Sequence, residues 1–308
     1  MKGIFVINKP EGWTSFDTVN FLKKRLREKV IGHGGTLDPM ASGVLIIAIG
    51  RNSTSILNTI LKNSKKEYIA EILLGSESDT YDITGNITKN NIQRFPELQE
   101  IKNALDSFIG KIQQVPPKYS AVKISGVPAY RLAREGKEFE LQPKEVELFD
   151  YKIIDYSIKN DSAIIKVKLL VSSGFYIRSL ANDLGNILQT KGLLQSLTRT
   201  KVDRFTIEEA IDLKTIQDDD LEVYFKGQGL VQGIGFRNYA RFWAKIFNIK
   251  GKAQNIEDNF IEIIGQGKIK NIQRFLDRIQ NGPPGANVKK QFYYFRKIQI
   301  PYSEFKKH

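Results

Sequence analysis

The 308-residue chain contains no cysteine, and its only histidines are His33 and His308. Disulfides, iron–sulfur clusters and cysteine-based zinc sites are therefore excluded, as is a metal centre built on several imidazoles. Long hydrophobic runs are also lacking. Stretches such as Val44–Ile49 fall far short of the roughly 20 residues that span a bilayer, so no membrane helix is expected. Near the start, Asn8, Lys9 and Pro10 interrupt the chain before the apolar core of a secretory signal can form. The expectation is a cytoplasmic protein with no metal, no other cofactor and no membrane partner.

What is present is the composition of a folded protein, 41% hydrophobic and 26% charged. The length suits two domains of roughly 100–200 residues each. Positive charge is unevenly placed. Residues 221–308 hold 16 Lys and Arg against 6 Asp and Glu, hence +10 of the total +13. Such an excess points to a polyanion, nucleic acid first, although composition equally allows a basic solvated surface.

Two textures follow one another along the chain. Residues 1–213 mix β-rich runs (Gly3–Ile7, Val44–Ile49, Glu67–Leu74, Ala163–Val171) with helical stretches at Phe16–Glu28 and Phe95–Ile109. Ser15 suits an N-cap for the first helix. The segment Lys214–Leu221 carries Asp218-Asp219-Asp220 and no apolar period, which sets a linker at 214–220. Beyond it, a strand at Glu222–Phe225 precedes a loop with Gly227, Gly229, Gly233 and Gly235. A helix follows with Phe236, Tyr239, Ala240, Trp243 and Phe247 on one face. Two more strand-like runs, a helix at Ile272–Ile279 and a strand at Gln291–Ile300 complete a β-α-β-β-α-β order, the ferredoxin-like pattern.

The segment Gly32-His33-Gly34-Gly35-Thr36-Leu37-Asp38-Pro39-Met40-Ala41-Ser42-Gly43 is the most unusual of the first region. Its glycines allow tight turns, and Pro39 keeps Asp38 off the helical backbone. By itself such an Asp is usually a turn-former bonded to its own backbone. The segment resembles the nucleophile motif of the TruB family, bacterial synthases of pseudouridine at uridine 55 of tRNA. Further blocks resemble that family in its order. They are Asn8-Lys9-Pro10-Glu11-Gly12-Trp13-Thr14-Ser15, Lys66-Glu67-Tyr68 with Leu74–Asp82, Pro116–Lys123, Ser173–Leu180 and Leu197-Thr198-Arg199-Thr200. Ser78, Phe175 and Asp203 depart from the usual residues.

The resemblance implies an isomerase that breaks the C1′–N1 bond of uridine, turns the base and rejoins it through C5, without a cofactor. It implies Asp38 as the essential carboxylate. Arg178 is implied as its guanidinium partner, keeping it ionised and oriented. Tyr68 is implied as the ring stacking on the target base and a candidate for proton removal at C5. Tyr176 and Leu197 are implied at the base pocket, and His33 and Lys9 at the RNA. Without the motifs, Tyr68 and Tyr176 read as core aromatics on strands and Leu197 as core packing. A base in a folded T-loop must be extruded to reach such a pocket.

Residues 221–308 do not resemble the RNA-binding domain of the PUA type that usually ends TruB proteins. Gly229-Leu230-Val231-Gln232-Gly233-Ile234-Gly235-Phe236-Arg237, Gly251–Asn255 and Asn281–Val288 instead resemble acylphosphatases. That resemblance implies a phosphate-binding loop formed by Gly229, Val231, Gln232, Gly233, Ile234 and Gly235 at a helix start. It implies Arg237 holding the phosphoryl oxygens and Asn255 orienting water.

The reading is an α+β protein: a TruB-like catalytic domain over 1–213, with a mixed and mainly antiparallel sheet, and an acylphosphatase-like domain over 221–308. The main function expected is pseudouridine synthesis at uridine 55 in the T-loop of tRNA by a monomer. The second domain either hydrolyses acyl phosphates or grips the tRNA backbone. The alternatives are an acylphosphatase with an RNA-binding N-terminal module, and a non-catalytic tRNA-folding or binding factor.

Overall fold

The computed structural model describes residues 2–308 except Asn91, Gln93, Asn160, Asp161, Thr215, Gln217, Asp218, Asp219 and Asp258, and excepting the side chain of Asn58. Asp218 and Asp219, on which the expected linker rests, lie outside the described residues. The chain divides into two compact units that do not follow its order. The first comprises 2–39, 43–61 and 204–308, the second 40–42 and 62–203.

In the first unit, the ferredoxin-like order is realised by strand Leu221–Leu230, helix Phe236–Ile246, strands Lys250–Asn255 and Phe260–Gly267, helix Ile269–Ile279 and strand Asn287–Arg296. All pairings among these four strands are antiparallel, and Phe305–Lys307 adds a parallel strand beside Lys250–Asn255. Gly227 and Gly229, expected in a loop, are strand residues. Leu221–Leu230 is hydrogen-bonded on both sides, and a Cβ on Gly229 would lie 2.1 Å from the Asn287 carbonyl. Glycine is thus needed there for close backbone approach. The last long strand ends at Arg296, short of the expected Ile300.

The same sheet continues into the beginning of the chain. Strand Gly3–Lys9 pairs parallel with Asn287–Arg296 and antiparallel with Ala41–Ile49. Its burial pattern is nearly continuous, as suits a central strand covered on both faces. Helix Ser15–Leu26 follows. Its cap is Thr14 rather than Ser15: the Thr14 hydroxyl accepts from the Asp17 amide and the Asp17 carboxylate accepts from the Thr14 amide. Ser15, one residue on, is free to point elsewhere.

The second unit is built on the strands Gly192–Val202, Lys66–Leu74, Ser162–Val171, Lys144–Lys159 and Gly110–Gln114, in that order and all antiparallel. The β-rich run at Ala163–Val171 is a strand, Ser162–Val171, in which buried and half-buried residues alternate strictly. Helix Ile177–Ile187 packs across Gly192–Val202 and Lys66–Leu74. It lies unusually close, because a Cβ on Gly185 would stand 2.1 Å from the Gly192 amide nitrogen. Both sheets together are mixed and mainly antiparallel, as expected.

Candidate active site

Asp38 lies in the irregular segment between strands Ile31–Gly34 and Ala41–Ile49, half-buried. Its two neighbours are fixed by the opening of the chain. On one side, the Ser15 hydroxyl donates to the Leu37 carbonyl (3.1 Å) and accepts from the Leu37 amide (2.9 Å), wholly out of water. On the other, the Pro39 carbonyl accepts from the Gly12 amide at 2.8 Å. Lys9, expected at the RNA, is fully buried. Its ammonium donates to the carbonyls of Pro10 and Trp13, and at 3.5 Å to that of Pro39. In this structure Lys9 ties the opening of the chain to Pro39, the residue after Asp38. His33, in strand Ile31–Gly34, is half-buried on the same unit.

The second unit gathers Tyr68, Leu197, Tyr176 and Arg178. Tyr68 and Ala70 stand opposite Arg199 and Leu197 in the ladder between Lys66–Leu74 and Gly192–Val202. Directly paired residues share a face, so Tyr68, Leu197 and Arg199 line one side of the sheet. Tyr68 and Leu197 are 6% and 7% exposed. Tyr176 is at the N-cap of helix Ile177–Ile187 and not on a strand. Its backbone is held by Gln114, whose side-chain amide donates to the Tyr176 carbonyl (3.0 Å) and whose oxygen accepts from the Tyr176 amide (2.8 Å).

Arg178, in the first turn of that helix, is buried. Its guanidinium donates to the carbonyls of Thr80 (3.2 Å) and Tyr119 (3.0 Å) and lies 3.6 Å from the Asp82 carboxylate. Asp82 is itself buried and accepts from the Thr84 amide and the Thr80 hydroxyl. A buried guanidinium is tolerated only with such neighbours. Asp82, Tyr119 and Gln114 were not singled out from sequence. The first two lie in the Leu74–Asp82 and Pro116–Lys123 blocks, and that block membership was the signal available. Lys66, two residues before Tyr68, donates to the Ser173 hydroxyl at 3.3 Å. Burial, and then the charge of Arg199, push its ammonium down from the ordinary lysine range to about 8.

Of the candidate phosphate loop, Gly229 lies in strand Leu221–Leu230, and residues 231–235 form the turn before helix Phe236–Ile246. Val231 is buried, and Gln232 anchors the loop by donating to the carbonyls of Glu257 (2.7 Å) and Phe260 (2.9 Å). Gly233 and Gly235 have φ of 75° and 78°, the left-handed region that favours glycine, and Gly235 is the helix N-cap. Ile234 between them is half-buried. Arg237, in the first helical turn, donates to the His308 carbonyl at 2.6 Å. Asn255 ends strand Lys250–Asn255, and its side-chain oxygen is buried with no hydrogen-bond partner among the described residues. An amide oxygen can only accept, so any partner it takes is a donor.

Comparison with known proteins agrees with both halves. Residues 23–177 match the N-terminal domain of TruB family pseudouridylate synthases, and residues 222–307 match acylphosphatase. A tRNA pseudouridine synthase B of Ureaplasma urealyticum serovar 10 is 42% identical over 218 residues, covering 70% of this chain and 93% of the relative. That of Protochlamydia amoebophila is 43% identical over 213 residues, 69% of this chain and 78% of the relative. A solved Cbf5-Nop10-Gar1 complex contains a chain 27% identical, with a TM-score of 0.52 over 70% of this chain, which spans 53% of that one. The matched class is pseudouridine synthase, an isomerase. Within it the chain belongs to the TruB family, and it carries an acylphosphatase domain over residues 222–307. Among the described residues no helix is long and apolar enough to cross a membrane.

Proposed function

We propose that this protein converts uridine 55 in the T-loop of tRNA to pseudouridine, with Asp38 as the essential carboxylate and the synthase machinery within 1–213. The C1′–N1 bond breaks, C1′ joins C5, the C5 hydrogen leaves to solvent and N1 takes a proton. The observation that carries the reading is the bracing of Asp38. Hydrogen bonds to Leu37 and Pro39 fix the backbone on both sides of a half-buried carboxylate. A reacting group gains most from such fixed placement. The tRNA substrate rests on the named activity of the relatives. Tyr68, Tyr176 and Leu197 supply apolar and aromatic surface for the extruded base, His33 contacts the RNA, and Arg178 provides positive charge. Tritium release from a transcript labelled at C5 of uridine tests this directly. Wild type releases tritium, Asp38→Asn does not while still binding RNA, and a transcript with cytidine at position 55 yields none at that site. Turnover by Asp38→Asn overturns the assignment.

A second reading concerns residues 221–308, as an acyl phosphate hydrolase in the same cytoplasmic, monomeric protein. The unpartnered Asn255 oxygen favours it, because it stands ready to accept from a water molecule. Arg237 would clamp the phosphoryl oxygens and the turn at residues 232–235 would present backbone amides. Hydrolysis of benzoyl phosphate by wild type, lost in Arg237→Ala, supports this reading; no hydrolysis by wild type ends it.

A further inference from the structure

Helix Phe236–Ile246 reads FRNYARFWAKI and contains no acidic residue. Arg237, Arg241 and Lys245 recur every four positions, so they form one ridge with steps of roughly 6 Å along the axis. Like charges at this spacing oppose helix formation. Among the described residues no ion pair relieves Arg241 or Lys245. The inward face already has its packing, with Phe236, Ala240 and Ala244 buried. The outward face keeps Phe242 and Ile246 exposed, at 58% and 57%.

The exposed ring is supported from behind. Phe242 meets Trp243 edge-on at 5.3 Å, and Trp243 stacks on Phe247 at 5.5 Å. Beside Phe242 runs a groove of roughly 550 Å³ between the helix and the segment 303–305. Three cations, Arg241, Lys245 and Lys250, line it against a single acid, Glu304.

We propose that this groove binds a single-stranded stretch of the RNA substrate, with phosphates along Arg241, Lys245 and Lys250 and one base stacked on Phe242. The proposal rests on reading the chain as an RNA-modifying enzyme, and gives the basic domain its part in that work. Cations spaced along a groove with an aromatic platform are the usual means of holding single strands without reading sequence. An acidic protein would match the charge but not the exposed flat ring.

The test uses the full chain and a tRNA transcript, with affinity measured across a range of salt concentrations. The Arg241→Ala, Lys245→Ala double variant lowers the slope of log K against log salt by about 1.4, at about 0.7 per single-stranded phosphate. Phe242→Ala weakens binding by about fivefold or more with the slope unchanged. Both variants raise KM for tritium release and leave kcat as it was. These side chains are exposed, and equal thermal unfolding of the variants confirms an intact fold. Wild-type slope in the double variant, or wild-type affinity in Phe242→Ala, overturns the proposal. A wild type that binds RNA yet releases no tritium removes the synthase reading instead, and the slope and affinity still decide the groove.

Discussion

The ring of Phe5 lies flat on the ring of Phe295, with centroids 4.3 Å apart and planes 1° from parallel. The two residues are also register partners in the parallel pairing of strands Gly3–Lys9 and Asn287–Arg296, and both are wholly buried. The opening strand of the synthase sequence and the closing strand of the acylphosphatase sequence thus share one sheet and one core. Neither is a bead on a string.

Phe295→Ala should therefore destabilise the first unit as a whole. A cavity of this kind lowers stability by about 3–5 kcal/mol. Urea unfolding followed by tryptophan fluorescence should show one shifted transition. Removing 221–308 altogether would bare the edge of Gly3–Lys9, and that chain is expected to aggregate rather than report on RNA binding.

A buried polar knot reinforces the same junction. Arg296 bridges Glu209, which precedes the expected linker, and Glu222, which follows it, the latter at 2.7 Å. Gln266 donates to the second Glu222 oxygen at 2.6 Å, and the Tyr294 hydroxyl donates to Glu209 at 3.2 Å. Arg296→Ala leaves two buried carboxylates without their cation and should lower stability by about 3–5 kcal/mol. Adding Glu209→Gln and Glu222→Gln to that variant should recover much of the loss, since neutral amides need no counter-ion. A triple variant as unstable as the single one would contradict this.

Much of this architecture was legible in the sequence, because short-range signals carried it. The β-α-β-β-α-β order followed from apolar periodicity, and the motif blocks brought Tyr68, Tyr176, Leu197 and Arg178 to one unit. The Phe5–Phe295 pairing was not legible, since parallel pairing across most of the chain leaves no local pattern. The cap of the first helix falls at Thr14, one residue before the expected Ser15, because both residues are good caps. What decided between them was tertiary: Ser15 is taken by Leu37. Gln114 escaped notice for a related reason. Its clamp on Tyr176 joins residues 62 apart, and nothing about a lone glutamine announces it.

Lys66 gives the protein a pH signature. Its pKa is about 8 in the folded state, against an ordinary value of 10.5, through burial and the charge of Arg199. Between these two values the unfolded chain binds more protons than the folded one, so this group makes stability rise as pH increases from about 8 to 10.5. Below pH 8 both states are protonated and the full penalty of burying the charge is present. Lys66→Met should be more stable than wild type at pH 7, because the cost of the ammonium's lost hydration is removed. The gain should shrink as pH rises through that window. Urea midpoints at pH 7, 9 and 10.5 measure it, and a gain independent of pH would assign the effect to packing instead.

Ser15→Ala offers the sharpest separation of fold from catalysis. The Ser15 hydroxyl satisfies both backbone groups of Leu37, the residue before Asp38, and is itself buried. Its loss strands a buried amide and a buried carbonyl, a cost of about 1–3 kcal/mol for each group left unpaired. The loop then regains freedom where the carboxylate must be held, and displacement by about 1 Å can lower turnover roughly 100-fold. RNA affinity should not change, because Ser15 is out of reach of solvent. Thr14→Ala is the matched control. It removes the true N-cap, worth about 1 kcal/mol, from the same helix without touching Leu37. Single-turnover tritium release should fall steeply for Ser15→Ala and stay near wild type for Thr14→Ala. Equal rates in the two variants would mean that helix stability, and not the placement of Asp38, governs the reaction.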